Sequence, residues 1–202
     1  TDNVEDWANG AAGFLYVRDL DSDIICACGL GDYVAFYSAN TMGIVQYIGP
    51  DFYFGARKVL SGIGAVGKFS VVEHNNMNYG ISFQGVWKTD ATSFDYISPP
   101  LLREWMQENI NWGQASKIAS YNNEDRSLLE WGVPLVGQSE NSITICYNYQ
   151  TGGWTFKNYG ITVGLKKNNF RFPIFGLADG SIHYGEYNYD ANGLPLDAWV
   201  QT

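Results

Sequence analysis

The chain has 202 residues, 46% of them hydrophobic and 16% aromatic, which suits one folded domain and excludes a disordered chain. Its formal charge is −9, from 12 basic and 21 acidic residues, which excludes a surface built to grip phosphate backbones. Three cysteines are too few for a disulfide framework, and no apolar run reaches the roughly eighteen residues of a membrane helix.

In chain order, residues 1–13 show no periodicity and read as a leading loop without the features of a signal peptide. Residues 23–29 and 32–38 are two short β-rich runs around the turn Gly29, Leu30 and Gly31. Residues 43–49 and 52–60 follow as two more strands. Four consecutive antiparallel strands make one sheet, or blade.

A second unit covers residues 68–98. It has a strand at 69–73, a turn at His74, Asn75 and Asn76, and one long strand at 79–87. On that strand Tyr79, Ile81, Phe83, Gly85 and Trp87 share a face, and a closing strand follows at 94–97. Residues 101–110 are the one good helix. Ser98 is its expected N-cap, Pro99 stands at its start, and Leu101, Leu102, Trp105, Met106 and Ile110 form an apolar packing stripe.

The third unit holds strands at 117–121 and 128–133 around an acidic turn, then the clearest hairpin of the chain at 142–160. There Ile143, Ile145, Tyr147 and Tyr149 alternate with Thr144, Cys146 and Asn148, so one face should be buried. Gly152 and Gly153 should supply the positive φ of the turn, and Trp154 and Phe156 restart the alternation. If buried, Trp154 should cost about 3–5 kcal/mol on truncation to alanine. A fourth unit has strands at 161–165, 170–176 and 181–187, the last two joined at Ala178, Asp179 and Gly180, and the chain ends on a turn and a strand.

Recurring units of about four strands are the signature of propeller blades. The expected fold is therefore all-β: consecutive antiparallel four-stranded units, all or part of a β-propeller, with one short helix near 101–110. A β-sandwich is the structural alternative. Residues 1–202 are read as a single β-rich domain, and as a piece of a longer propeller-containing chain.

Motifs that could carry chemistry all have plainer readings. Gly62 to Gly67 spells G-x-G-x-x-G, but a strand follows where a dinucleotide site needs a helix, so it reads as a flexible connection between blades. Asp19, Asp21 and Asp23, and likewise Asn188, Asp190, Asn192 and Gly193, imitate the start of a calcium loop. Neither has the distal glutamate, Trp199 standing at the twelfth position of the second, so both read as Asx turns. His74 and His183 lack ligand-spaced neighbours, and Cys26, Cys28 and Cys146 read as reduced packing residues.

Glu104, Glu108, Glu124, Asp125 and Glu130 read as solvated surface. Trp87, Trp105, Trp112, Trp131, Trp154 and Trp199 read as scaffold before sugar platform. No catalytic, cofactor-binding or metal-ligating set is expected, and no cofactor or enzymatic activity.

Three stretches carry a resemblance: Y-N-Y-Q-T-G-G-W-T at 147–155, F-G-L-A-D-G-S-I-H-Y at 175–184, and Y-D-A-N-G-L-P-L-D-A-W-V-Q-T at 189–202. With G-V-W-K-T-D-A-T-S-F-D-Y-I-S-P-P-L-L at 85–102, they resemble the β-propeller hub, nozzle or tail-stabilisation proteins of short-tailed bacteriophages. The resemblance implies a virion structural protein of the tail or neck, assembled in the host cytoplasm. Its implied partners are copies of itself in a ring, commonly a hexamer, and other tail, portal or adaptor proteins. Genomic DNA would pass without specific binding. An acidic channel wall would keep that DNA from sticking. A carbohydrate-binding or glycan-processing propeller domain is the alternative, from the Trp and Tyr content.

Overall fold

The computed structural model describes residues 17–49, 53–165, 173–184, 190–191 and 194–195. The first sheet runs β1 (Cys26–Leu30), β2 (Tyr33–Tyr37), β3 (Thr41–Gly49) and β4 (Tyr53–Ser61), each paired antiparallel with the next. The second runs β5 (Val71–His74), β6 (Met77–Ser82), β7 (Gly85–Thr89) and β8 (Phe94–Tyr96) in the same order. Helix α1 (Pro100–Asn109) then leads to the third sheet, β9 (Ala119–Asn123), β10 (Leu128–Val133), β11 (Ile143–Asn148) and β12 (Trp154–Lys157). The fourth holds β13 (Ile161–Leu165), β14 (Ile174–Leu177) and β15 (Ile182–Tyr184), and a short pair joins β16 (Asp190–Ala191) to β17 (Leu194–Pro195).

The sheets stack in chain order, and the first strand of each lies beside the first strand of the next: β1 by β5, β5 by β9, β9 by β13. This is a propeller-like all-β arrangement, and not a sandwich of two sheets. Stacking explains why strand alternation misleads here. A sheet with neighbours on both sides buries both faces, so Thr144, Ile145 and Cys146 are all inaccessible, where only one face of the hairpin was expected to be.

Two apolar cores result among the described residues. Between sheets 1 and 2, Tyr37, Met42 and Ile44 meet Val71 and Trp87, with the Tyr37 and Trp87 rings 5.3 Å apart. Between sheets 2 and 3, Ile81 and Val86 meet Leu129, Trp131 and Ile145, and α1 contributes Leu102 and Met106, with Ile110 just past its end. Leu101, expected in the packing stripe, is 81% exposed.

Several local expectations are corrected. The strand predicted at 79–87 breaks into β6 and β7 at Phe83 and Gln84, because Ser82 pairs with Gly85, whose φ of +136° only glycine adopts readily. Ser98 does not cap α1. Pro99 is the N-cap, and the Ser98 hydroxyl instead accepts the Val86 N–H at 3.0 Å, tying the helix start to β7. Leu30 belongs to β1, with the turn at Gly31 and Asp32. At 142–160 only Gly152 takes positive φ (+74°). The loop is held by Asn148, whose Oδ1 accepts the N–H groups of Gln150 and Thr151.

Residues 62–67 are no flexible connection. Ile63 and Ala65 are buried, and the amides of Gly62 and Ala65 donate to the carbonyls of Asn40 and Ser38 at 3.0 and 2.9 Å.

Candidate functional site

A polar pocket of about 530 Å³ opens where sheets 2 and 3 meet, at the ends of β5 and β9. Its walls are Glu73, His74, Asn75 and Asn76 from the β5–β6 hairpin, Asn122 and Glu124 from the end of β9, and Tyr149 from the β11–β12 loop. Strand parity places His74 on the face of sheet 2 that meets sheet 3. The imidazole stacks on the Tyr149 ring at 3.8 Å between centroids, and its Nδ1 lies 3.3 Å from the Asn122 amide nitrogen. That nitrogen also donates to the Glu73 carbonyl at 3.4 Å, while Asn122 Oδ1 is buried without a hydrogen-bond partner. Such an orphaned oxygen costs about 1–3 kcal/mol.

Asn75 and Asn76 form the two-residue turn with φ of +51° and +57°, a conformation asparagine tolerates better than most residues. Glycine would be cheaper at the second position, and asparagine adds an amide to the pocket rim. The lining thus offers amides, two carboxylates and an aromatic pair, groups that hydrogen-bond and stack on a polyhydroxylated ligand.

A second pocket, of about 380 Å³, lies where the first strands begin, among Ile24, Cys26, Lys68, Phe69, Val71 and Ser120. Ser120 closes one side by donating both its N–H and its hydroxyl to the Phe69 carbonyl at 2.7 Å.

Between sheets 3 and 4 the interface is polar. Glu130 of β10 is 2% exposed, yet it was expected on solvated surface; its carboxylate meets Lys157 Nζ at 2.8 Å and accepts from Asn123 Nδ2 at 3.0 Å. The pair explains the burial, since a lone carboxylate there would be far too costly. Burial alone would lower the Lys157 ammonium, but the adjacent Glu130 charge outweighs it and the pKa is raised. The neighbouring Cys146 thiol is pushed up to about 12, first by burial and then by Glu130. These are structural groups, with a thiol too poorly ionised to act as a nucleophile.

The other predicted candidates are scattered. Asp21 accepts hydrogen bonds from the hydroxyls of Ser38 and Thr41, which hold its carboxyl below the usual range, and so pins the β2–β3 turn. His183 sits 2.8 Å from the Ser181 hydroxyl, which itself bonds Asp179 at 2.5 Å, and the imidazole stacks on Phe175. Glu104, Glu108, Glu124 and Asp125 are exposed. Trp87 and Trp131 are fully buried, and Trp105, Trp112 and Trp154 are half-buried. Asn188, Asn192, Gly193 and Trp199 lie outside the described residues, and of Asp190 only its place in β16 is described. Among the described residues no group of three or more His, Cys, Asp or Glu is placed to hold a metal ion.

Sequence reasoning took His74 and Tyr149 singly, and their meeting depends on two sheets stacking. The Asn-Asn turn was the only local signal.

No family model matches this chain, and no curated protein is similar to it in sequence. Among solved structures it is similar to the extracellular domain of a one-component system protein of B. thetaiotaomicron. That match has 14% identity and a TM-score of 0.51, and it covers 92% of this chain and 23% of the other. The chain thus spans less than a quarter of that protein's length. It is also similar to the computationally designed Ika4 protein, with 14% identity and a TM-score of 0.51, over 85% of this chain and 96% of that one. At these identities the likeness concerns fold alone.

Proposed function

We propose that the chain is a structural component of a bacteriophage virion, part of a ring in the tail or neck that supports the DNA ejection channel. The observation that carries this reading is the β3–β4 hairpin. Its two nine-residue strands run beyond the five-residue β1 and β2, and the overhang exposes Tyr47, Ile48, Tyr53 and Phe54, each half or more accessible. An apolar cluster of this kind suits a protein that works inside an assembly. The stretches that resemble phage propeller proteins support it further, since 147–155 and 175–184 fold as the β11–β12 and β14–β15 hairpins of successive units. The net charge of −9 suits a wall past which DNA slides. Electron microscopy of virions tests the proposal: density for this fold in a tail or neck ring is expected, and virions lacking the chain would overturn it.

The polar pocket beside His74 favours a second reading, a carbohydrate-binding domain. A glycan array separates the two: saturable binding abolished by Tyr149→Ala supports the second, and binding indifferent to that change removes it.

A further inference from the structure

The pocket beside His74 combines negative charge with an unanswered hydrogen-bond acceptor. Glu73 and Glu124 line it, and no Lys or Arg does. Glu73 Oε1 accepts the Asn76 N–H at 3.0 Å, which holds that carboxylate at the turn. Asn122 is 3% exposed, and its Nδ2 donates to the Glu73 carbonyl at 3.4 Å while facing His74 Nδ1 at 3.3 Å. A carbonyl only accepts, so it fixes the amide this way round, and the imidazole proton then sits on Nε2. Both amide hydrogens of Asn122 are thereby committed, and its Oδ1 is left buried with no partner. The Tyr149 ring, stacked on His74, adds an aromatic wall, and an aromatic face attracts a cation.

We propose that this pocket binds a small organic molecule through a primary ammonium group. An ammonium brings full positive charge, three donors and no acceptor, which answers Glu73, Glu124 and the Asn122 Oδ1 together. Two carboxylates disfavour a phosphate or carboxylate ligand in the same place. Among the described residues no three His, Cys, Asp or Glu groups are placed to hold a metal ion, so the charge is not gathered for a bare divalent cation. The volume of about 530 Å³ suits a small molecule. The inference rests on the reading of this pocket as a ligand site and is independent of the virion reading. An amino sugar and an alkyl amine both carry the group, and the test distinguishes them.

Calorimetric titration of the chain at pH 7 with glucosamine, N-acetylglucosamine, glucose and 1,4-diaminobutane tests it. Glucosamine is expected to bind at least about tenfold more tightly than N-acetylglucosamine or glucose, which keep the ring and lack the charge. Glu124→Gln and Glu73→Gln should each weaken that binding about tenfold, and the glutamine at 73 keeps an acceptor for the Asn76 N–H. Glu108→Gln removes the same charge from an exposed site on α1 and should leave binding unchanged, which separates a site from the general pull of a chain of charge −9. Glu108 and Glu124 are exposed, so unchanged melting is the folding control. Diaminobutane matching glucosamine supports the inference with the ammonium alone as ligand and counts against the carbohydrate reading. Glucosamine binding without diaminobutane supports both. Neutral sugars binding as tightly as glucosamine overturn the inference and leave the carbohydrate reading standing. No saturable binding of either amine, or equal weakening by Glu108→Gln and Glu124→Gln, also overturns it, and the glycan array then decides the carbohydrate reading separately.

Discussion

Glu130 and Lys157 form a 2.8 Å ion pair inside the stack, between the third sheet and the fourth. Their strands are not neighbours: β11 separates β10 from β12, so the pair spans the width of a strand across the face that meets sheet 4. Removing one partner leaves a buried charge. Lys157→Met is expected to lose about 3 kcal/mol, near the low end for a broken buried pair because the lysine is partly accessible. The double variant Glu130→Met/Lys157→Met should recover most of it, as judged by urea denaturation. A double variant worse than the single would show that the pair is net stabilising and not merely compensated.

The same cluster predicts weakness to alkali. The Cys146 thiol is raised from 9.0 to about 12, so its contribution is fully present below pH 9 and is lost as pH climbs from 9 toward 12. Lys157, raised above 10.5, loses its contribution at still higher pH, in the same direction. Urea midpoints should fall between pH 9 and 11, by at most about 1.4 kcal/mol per pH unit for each group. Cys146→Ala should start less stable and show a shallower slope over that range. An unchanged slope would show that other groups, such as Tyr37, carry the effect.

Trp87 lies across Gly80, its cross-strand partner, and a Cβ on that glycine would come within 2.2 Å of the indole. Gly80→Ala must push the largest side chain of the sheet 1–2 core aside, at an expected cost of about 1–3 kcal/mol. Gly29→Ala, on an exposed strand position with nothing within 4 Å of the new methyl group, is the control and should stay within about 0.5 kcal/mol. Equal outcomes at the two sites would mean that the Trp87 ring moves aside freely and does not set the cost, since the entropy change of Gly→Ala by itself favours the folded state.

What the sequence revealed and what it hid follow from the range of the interactions. Strand alternation and turn residues are local, so β10 was read to the residue and α1 to within one. The break at Phe83 was missed because Tyr79, Ile81, Phe83, Gly85 and Trp87 keep a period of two straight through it. Only the pairing of Ser82 with Gly85 ends that strand. Glu130 was taken for surface because a carboxylate in a strand usually is, and its partner stands 27 residues away. The pocket gathers β5, β9 and the β11–β12 loop, whose meeting no local pattern encodes.

Trp131 and Trp154 separate a core indole from a peripheral one. Trp131 is fully buried between sheets 2 and 3, and its Nε1–H donates to the Ser70 carbonyl at 3.3 Å. Trp131→Ala is expected to cost about 3–5 kcal/mol. Trp154 is half-buried beside Tyr147, with ring centroids 4.8 Å apart, so the condition of full burial on which the larger cost rested is not met. Trp154→Ala should lose about 1–2 kcal/mol, part of it the aromatic pairing. A Trp154 loss equal to that of Trp131 would place both indoles in one core.

The connection between the first two sheets gives a test that needs no substitution. The amides of Gly62 and Ala65 are hydrogen-bonded to Asn40 and Ser38, and Ile63 and Ala65 are 1% exposed. A Cβ on Gly64 would fall 2.2 Å from the Ala39 carbonyl oxygen, so the backbone is in contact with the β2–β3 turn. Hydrogen exchange should therefore slow these two amides to the rate of the β3 and β6 strands, since opening them requires parting residues 62–65 from that turn. Gly64→Ala should abolish that protection before it unfolds the sheets, because the clash is with backbone that cannot rotate away. Exchange of the wild-type amides at the rate of an open loop would restore the flexible connection that the glycine pattern alone suggests.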